Sequence, residues 1–157
     1  MKIAHIDMSN QIDNKWERDT ILALVYPDKN FDCTIRLKNM DKFNIKRKYI
    51  NLDNTVSAKR HNQKVINLIF AYLIFKLLDF KKDIIDMVLI CPDHRPSKEV
   101  HSYIQKISYR LGFSDLTRKI NIDFINKSKL DIPKRTPAHK LAKKILKGKR
   151  KATIIAN

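Results

Sequence analysis

The side chains best suited to binding a charged ligand are concentrated near the C-terminal end of the sequence. Seven basic residues lie between positions 140 and 151, and the first four recur at the spacing of one side of a helix. They are Lys140, Lys143, Lys144, Lys147, Lys149, Arg150 and Lys151. The other side of that helix carries Ala138, Leu141, Ala142 and Ile145. Lysine binds phosphate by charge and reads no base sequence, so the pattern predicts a surface for a nucleic-acid backbone.

The excess of positive charge extends over the whole chain. Its 157 residues contain 33 Lys and Arg against 16 Asp and Glu, a formal net charge of +17. Such a charge attracts polyanions, of which nucleic acids are the commonest; an anionic membrane surface and a merely solvated basic surface are the alternatives. Arg47 and Lys48, with Lys59 and Arg60 at the start of a long predicted helix, form a second candidate contact area for RNA or DNA.

Several classes of protein are excluded by what the sequence lacks. Gly112 and Gly148 are the only glycines, so neither a phosphate-binding P-loop nor a dinucleotide fingerprint is present. Cys33 and Cys91 lie in apolar alternations and are predicted to be buried, reduced thiols rather than zinc ligands. The longest apolar stretch, residues 65–78, is too short to cross a bilayer. With no signal peptide before the first strand, we expect a cytoplasmic protein without a membrane partner.

Two aspartates stand out by their apolar surroundings. Asp7 is flanked by apolar residues of a predicted first strand, and Asp93 follows the most apolar strand of the chain. A carboxylate in such a place is costly unless it binds a partner. The partner of Asp7 is either a ligand or a nearby Lys or Arg. Asp93 is either a functional group or a loop acid held near the N-terminus of the next helix.

The pattern of apolar residues predicts the elements that position these side chains. Strands are expected at residues 2–8, 20–26, 31–37, 85–91 and 120–125, and helices at 58–81, 97–111 and 136–148. Residues 43–52 are expected to form an edge strand or an irregular crossing, and residues 152–156 a short apolar tail. We find no linker or repeat, so residues 1–157 are interpreted as one domain whose basic C-terminal helix and tail cover 127–157.

This β-β-β-α-β-α-β-α order resembles the ribonuclease H-like fold. The resemblance implies an α/β protein with a five-stranded mixed sheet, strand order 3-2-1-4-5, and helices on both faces. It also implies that Asp7 on the first strand and Asp93 after the fourth face each other and bind Mg²⁺ or Mn²⁺. A third ligand would be Glu99, or alternatively Asp13 or Asp19. His139, on the last helix, stands where some relatives use a histidine, as a proton shuttle or a phosphate contact.

Two functions follow from that resemblance. The first is a metal-dependent nuclease that cleaves RNA or DNA phosphodiesters, with Asp7, Asp93 and His139 as catalytic residues. The second is a catalytically depleted ribonuclease H-like module that only binds nucleic acid. The absence of any carboxylate from residues 58–78 favours the second, because the family pattern has a Glu on this helix. The presence of both strand-end aspartates favours the first.

Overall fold

The computed structural model describes residues 3–9, 17–26, 31–53, 61–81, 85–91, 97–113, 116–125 and 137–156. The strands in these ranges are β1 (Ile3–Ser9), β2 (Thr20–Tyr26), β3 (Phe31–Leu37), β4 (Met87–Ile90), β5 (Asn121–Phe124) and β6 (Ile154–Ala156). The α-helices are α1 (Lys42–Tyr49), α2 (His61–Lys81), α3 (Ser97–Arg110), α4 (Leu116–Lys119) and α5 (Pro137–Leu146). Short 3₁₀ turns, Asn39–Asp41 and Ile50–Leu52, flank α1.

The strands form one mixed sheet in the order β5-β4-β1-β2-β3-β6. β2 is antiparallel to both of its neighbours, and every other adjacent pair is parallel. The prediction of an α/β fold with a mixed sheet is therefore confirmed. The strand count and the complete order differ from the predicted five strands in the order 3-2-1-4-5, because the C-terminal segment adds β6 beside β3.

The two faces of the sheet carry different cores. Leu22 and Leu24 of β2 belong to the main core, which also contains the buried residues of α1, α2 and α3. Ile21 and Ala23, which alternate with them, pack with α5 in a smaller second core. Since successive side chains of a strand point to opposite faces, α5 covers one face and α1 to α3 the other.

The long helix α2 is buried almost all round. Residues 65–78 are buried apart from Lys76, and the helix contacts α1, α3, β2 and β3. A helix enclosed on several sides needs an apolar circumference rather than an apolar stripe, which is why its sequence lacks a polar face. No helix within the described ranges is long and apolar enough to cross a membrane.

Two segments differ from the sequence expectation. Residues 43–52 form α1 and a 3₁₀ turn instead of an edge strand. Lys42, Ile45 and Tyr49 are its buried residues, and their spacing of three and four is that of a helix face. The expected tail at 152–156 contains β6. Such a short strand is stabilised by pairing with a distant partner and leaves little signal in its own sequence.

Candidate nucleic-acid interface

Helix α5 presents its lysines because its other side fits closely on the sheet. Its buried residues are Ala138, Leu141, Ala142 and Ile145, and they pack against Ile21 and Ala23 of β2. The alanines at the contact allow a close approach of helix and strand backbones. Pro137 begins the helix at the position where a missing N–H costs nothing. The amphipathic helix predicted from the sequence is thus present and docks by its apolar side.

The lysines of α5 and of the turn after it line a surface cavity of about 150 Å³. The described residues that line it are His139, Lys140, Lys143, Lys144, Lys147 and Lys149. Among the described residues, no carboxylate forms an ion pair with any of these five lysines. Five like charges around one cavity repel one another and attract an anion, and a polyphosphate chain offers several anionic groups at once.

The chain beyond α5 is fixed to β3. Gly148 has a φ of 74°, and the N–H of Lys149 donates to the carbonyl of Lys144, which ends the helix. Arg150 then donates two hydrogen bonds to the carboxylate of Asp32, at 2.9 and 2.7 Å. These bonds raise the pKa of the Arg150 guanidinium above its ordinary value. The predicted phosphate contact Arg150 therefore binds a carboxylate in this structure, and Lys151 beside it is exposed.

Two threonines extend this attachment. The Thr34 N–H donates to the hydroxyl of Thr153 at 3.1 Å, and the Thr153 N–H donates to the hydroxyl of Thr34 at 2.9 Å. β6 follows in parallel register with Ile35, Arg36 and Leu37. These contacts leave no signal in the sequence, because the partners lie more than 100 positions apart. They hold the turn that carries Lys149 at the edge of the cavity.

His139 joins the first turn of α5 to the end of β1. Its Nδ1 lies 3.1 Å from the carbonyl oxygen of Met8. A carbonyl only accepts hydrogen bonds, so Nδ1 carries the proton and Nε2 is an acceptor in the neutral ring. The residue also lines the lysine cavity. The neutral ring suits the predicted role of a proton shuttle, and the protonated ring suits the alternative role of a phosphate contact.

Asp7 lies on the same side of the sheet. It is opposite Ala23, which packs against α5, and it is only 5% exposed. Its Oδ1 accepts a hydrogen bond from the Met8 N–H at 2.8 Å. Asp7 and His139 thus bind the N–H and the carbonyl of one residue, Met8. The structure thus places these two of the predicted catalytic residues at the backbone of Met8, and His139 also lines the basic cavity.

The third predicted catalytic residue, Asp93, lies outside the described residues, as do Asp13, Lys59 and Arg60. The strand that leads towards it ends next to Asp7, since the Cys91 N–H donates to the carbonyl of Ile6 at 3.0 Å. Within the described ranges, no group of three or more His, Cys, Asp or Glu side chains is placed to hold a metal ion. Asp7 is the one predicted carboxylate ligand that the described residues bring to this place, and one carboxylate does not fit a two-metal centre.

Glu99 is not brought to Asp7. Its carboxylate accepts a hydrogen bond from Asn67 Nδ2 at 2.8 Å and lies 3.9 Å from Lys64 Nζ. These residues join α3 to α2 in the helical layer on the other face of the sheet. Lys64 also pairs with Asp53 at 3.2 Å, and Asp53 accepts a hydrogen bond from the Tyr103 hydroxyl. Burial, together with that bond, raises the pKa of Tyr103. Glu99 thus belongs to an interhelical polar cluster.

Asp19, the other alternative ligand, has protein partners of its own. It forms an ion pair with Arg36 at 2.7 Å and accepts a hydrogen bond from the Asn39 N–H at 3.0 Å. Burial alone would raise the pKa of Asp19, but these hydrogen bonds and the charges of Arg36 and Lys42 lower it overall. The carboxylate therefore anchors the start of β2 to the segment after β3.

The described part of the second predicted basic area, Arg47 and Lys48, lies on the opposite side of the sheet from α5. Arg47 and Lys48 are exposed residues of α1, whose buried residues Ile45 and Tyr49 belong to the main core. The two basic surfaces are therefore separated by the sheet and do not form one continuous contact area.

Comparison of the chain with protein-family models, with curated proteins and with solved structures gives no match.

Proposed function

We propose that this protein binds the phosphate backbone of a nucleic acid at its α5 surface. This surface is formed by Lys140, Lys143, Lys144, Lys147 and Lys149. The observation that carries the proposal is the set of five lysines and one histidine around a single cavity. Their helix is held on the sheet by buried alanine, leucine and isoleucine contacts, and the following turn is held by the Arg150–Asp32 pair. Binding therefore requires little ordering of the backbone, which reduces the entropic cost of association.

Recognition at this surface is by charge and independent of sequence. The described residues that line the cavity are lysines and His139, and they include no Phe, Tyr or Trp and no Asn, Gln or Arg for pairing with a base edge. If all five lysines contact phosphates of duplex DNA, the logarithm of the association constant falls with that of the salt concentration with a slope of about −4.5.

We also propose that the fold is of the ribonuclease H-like type. Read from β3, the first five strands follow the order 3-2-1-4-5, with β6 added outside β3. The family pattern is further supported by Asp7 on β1 and by His139 on the last helix at the border of the same site. The proposal of a ribonuclease H-like fold rests on this strand order and on Asp7 and His139.

A metal-dependent nuclease is the second candidate. It is supported by the meeting of Asp7 and His139 at Met8, beside a surface suited to phosphates. A bound Mg²⁺ or Mn²⁺ would supply a Lewis acid and an activated water. Because the described residues contribute one carboxylate to such a centre, this candidate depends on Asp93. We therefore rank binding above cleavage.

The binding proposal is tested by neutralising two lysines of the cavity. Lys143→Gln with Lys144→Gln should change the salt slope for duplex DNA from about −4.5 to about −2.7, because two phosphate contacts are lost. Fluorescence anisotropy titrations over a range of salt concentrations measure the slope. The matched control is Lys98→Gln, an exposed lysine of α3 on the other face of the sheet. An equal slope in the wild type and the double variant would contradict the proposal.

The nuclease candidate is tested on the same preparations. Single strands, duplexes, an RNA–DNA hybrid and a four-way junction are incubated with Mg²⁺ or Mn²⁺ and the wild type, Asp7→Asn or Asp93→Asn. Asparagine retains an oxygen that accepts the Met8 N–H, so Asp7→Asn keeps this hydrogen bond. Cleavage by the wild type and by neither variant would support the nuclease as the main function. Binding without any cleavage would support nucleic-acid binding as the only one of the two functions.

A further inference from the structure

A second charged surface lies where α1 and α3 end. Tyr109, in the last turn of α3, is 78% exposed, among the largest exposures of any large apolar side chain described. Lys106 lies one turn before it on the same side of the helix, Arg110 follows it about 100° further round the helix, and both are exposed. Lys106 Nζ lies 5.9 Å from the ring centroid of Tyr103. An exposed aromatic ring with two cations nearby is thus presented to solvent.

The end of α1 adds to this surface. Arg110 Nη1 donates a hydrogen bond to the carbonyl oxygen of Lys48 at 3.4 Å, which brings the two helix ends together. Arg47 and Lys48 are exposed there. Helix α1 contains no acidic residue, and α3 contains none after Glu99, which is engaged with Asn67 and Lys64. The surface therefore carries four cations and one aromatic ring.

Helix dipoles explain part of this arrangement. The carbonyl groups at a helix C-terminus favour nearby cations, and Arg110 binds such a group in α1. The dipoles do not explain Tyr109, since an aromatic ring gains nothing from a helix end and loses contact energy by facing water. An exposed ring flanked by cations is the arrangement on which proteins stack unpaired bases while they neutralise the backbone.

We propose that the surface formed by Arg47, Lys48, Lys106, Tyr109 and Arg110 binds single-stranded nucleic acid, with a base stacked on Tyr109. It lies across the sheet from the α5 surface, whose described residues include lysines and His139 but no Tyr, Phe or Trp. The inference shares with the proposed function the premise that the ligand is nucleic acid, and it adds a separate site for unpaired nucleotides. One chain then holds a single strand on one side and a duplex backbone on the other.

The test compares two probes on the same variants. A labelled oligothymidylate of about ten nucleotides, within the usual site sizes for single strands, and a labelled blunt duplex are titrated separately by anisotropy. Tyr109→Ala should weaken binding of the single strand at least about fivefold, which corresponds to about 1 kcal/mol, the lower end for one stacked base. Duplex binding should not change. Tyr109→Phe keeps the ring and should bind the single strand like the wild type.

The outcomes separate this inference from the function proposed for α5. Unchanged binding of the single strand by Tyr109→Ala overturns the second site, and so does an equal loss in Tyr109→Phe. If Lys143→Gln with Lys144→Gln weakens both probes and Tyr109→Ala weakens neither, the α5 function stands and the second site fails. If Tyr109→Ala weakens the single strand and the lysine variant weakens neither probe, the second site stands and the α5 function fails. A wild type that binds neither probe overturns both.

Discussion

Lysines on the two faces of the sheet are used in opposite ways. On α5 and the turn after it, five lysines surround a cavity, and no described carboxylate pairs with them. Between α2 and α3, Lys64 lies between two carboxylates, those of Asp53 and Glu99. The α5 lysines can therefore attract an external anion, whereas the charge of Lys64 is neutralised by carboxylates of the protein itself. Net charge alone therefore does not identify a binding surface; the position of the acids does.

The same substitution in the two regions should have very different effects on stability. Lys64→Met removes the cation shared by two carboxylates, so we expect a loss of about 2–3 kcal/mol in the free energy of unfolding. This is less than the roughly 3–5 kcal/mol expected when one partner of a fully buried pair is removed. The reason is that the side chains of Lys64, Asp53 and Glu99 remain 13–21% exposed. Lys144→Met on α5 should stay within about 0.5 kcal/mol. Urea denaturation measures both, and equal losses would remove the contrast.

The attachment of the turn after α5 should contribute less. Arg150 and Asp32 are 48% and 29% exposed, so their bidentate pair should stabilise the protein by about 0.2–1 kcal/mol. A double-mutant cycle with Arg150→Gln and Asp32→Asn measures this coupling. If the pair holds Lys149 at the cavity, each variant should also weaken duplex binding slightly. A variant that loses stability but binds the duplex with full affinity would show that the Arg150–Asp32 pair stabilises the fold and does not contribute to binding.

The smallest expected effect concerns His5, at the side of the sheet that faces α5. It is opposite Val25 on β2 and beside Leu89 on β4, and burial lowers its pKa from the ordinary 6.5. Because the folded pKa is below the unfolded one, stability is full above about pH 6.5 and falls as the pH drops towards the folded value. Melting temperatures between pH 5 and 8 should show this decline in the wild type and lose it in His5→Gln. A parallel decline in both would assign it to other groups.

Local patterns were sufficient for most of the elements. β2 and β3 have the predicted bounds, because each pattern is complete within one short segment. β2 is apolar on both faces, and β3 alternates apolar and polar residues. The amphipathic pattern of α5 also predicted which side docks and which carries lysines. Residues 43–52 were predicted wrongly because charged residues obscured the helical spacing of Ile45 and Tyr49. There the packing against α2 decides the structure, since local propensity is weak.

For the candidate site, residue types could be predicted and partners could not. Asp7 and His139 were singled out from the sequence, but their common contact with Met8 depends on α5 crossing β1. Glu99 looked equally suitable as a ligand, yet α3 packs on the other face and gives it Asn67 as a partner. Spacing along a helix or strand predicts which side chains share a face. It does not predict which face of the sheet that element covers.

The sequence by itself determined the excess of positive charge, the order of the first five strands and the three longest helices, and the lysine side of α5. All of these depend on composition or on a period of two to four residues. Only the tertiary structure decided that β6 pairs with β3, that Arg150 binds Asp32 and that Lys64 is neutralised while the α5 lysines are not. These contacts join residues from 11 to 119 positions apart. Their formation depends on how the whole sheet and its helical layers assemble, because each contact is weak until the packing around it is complete.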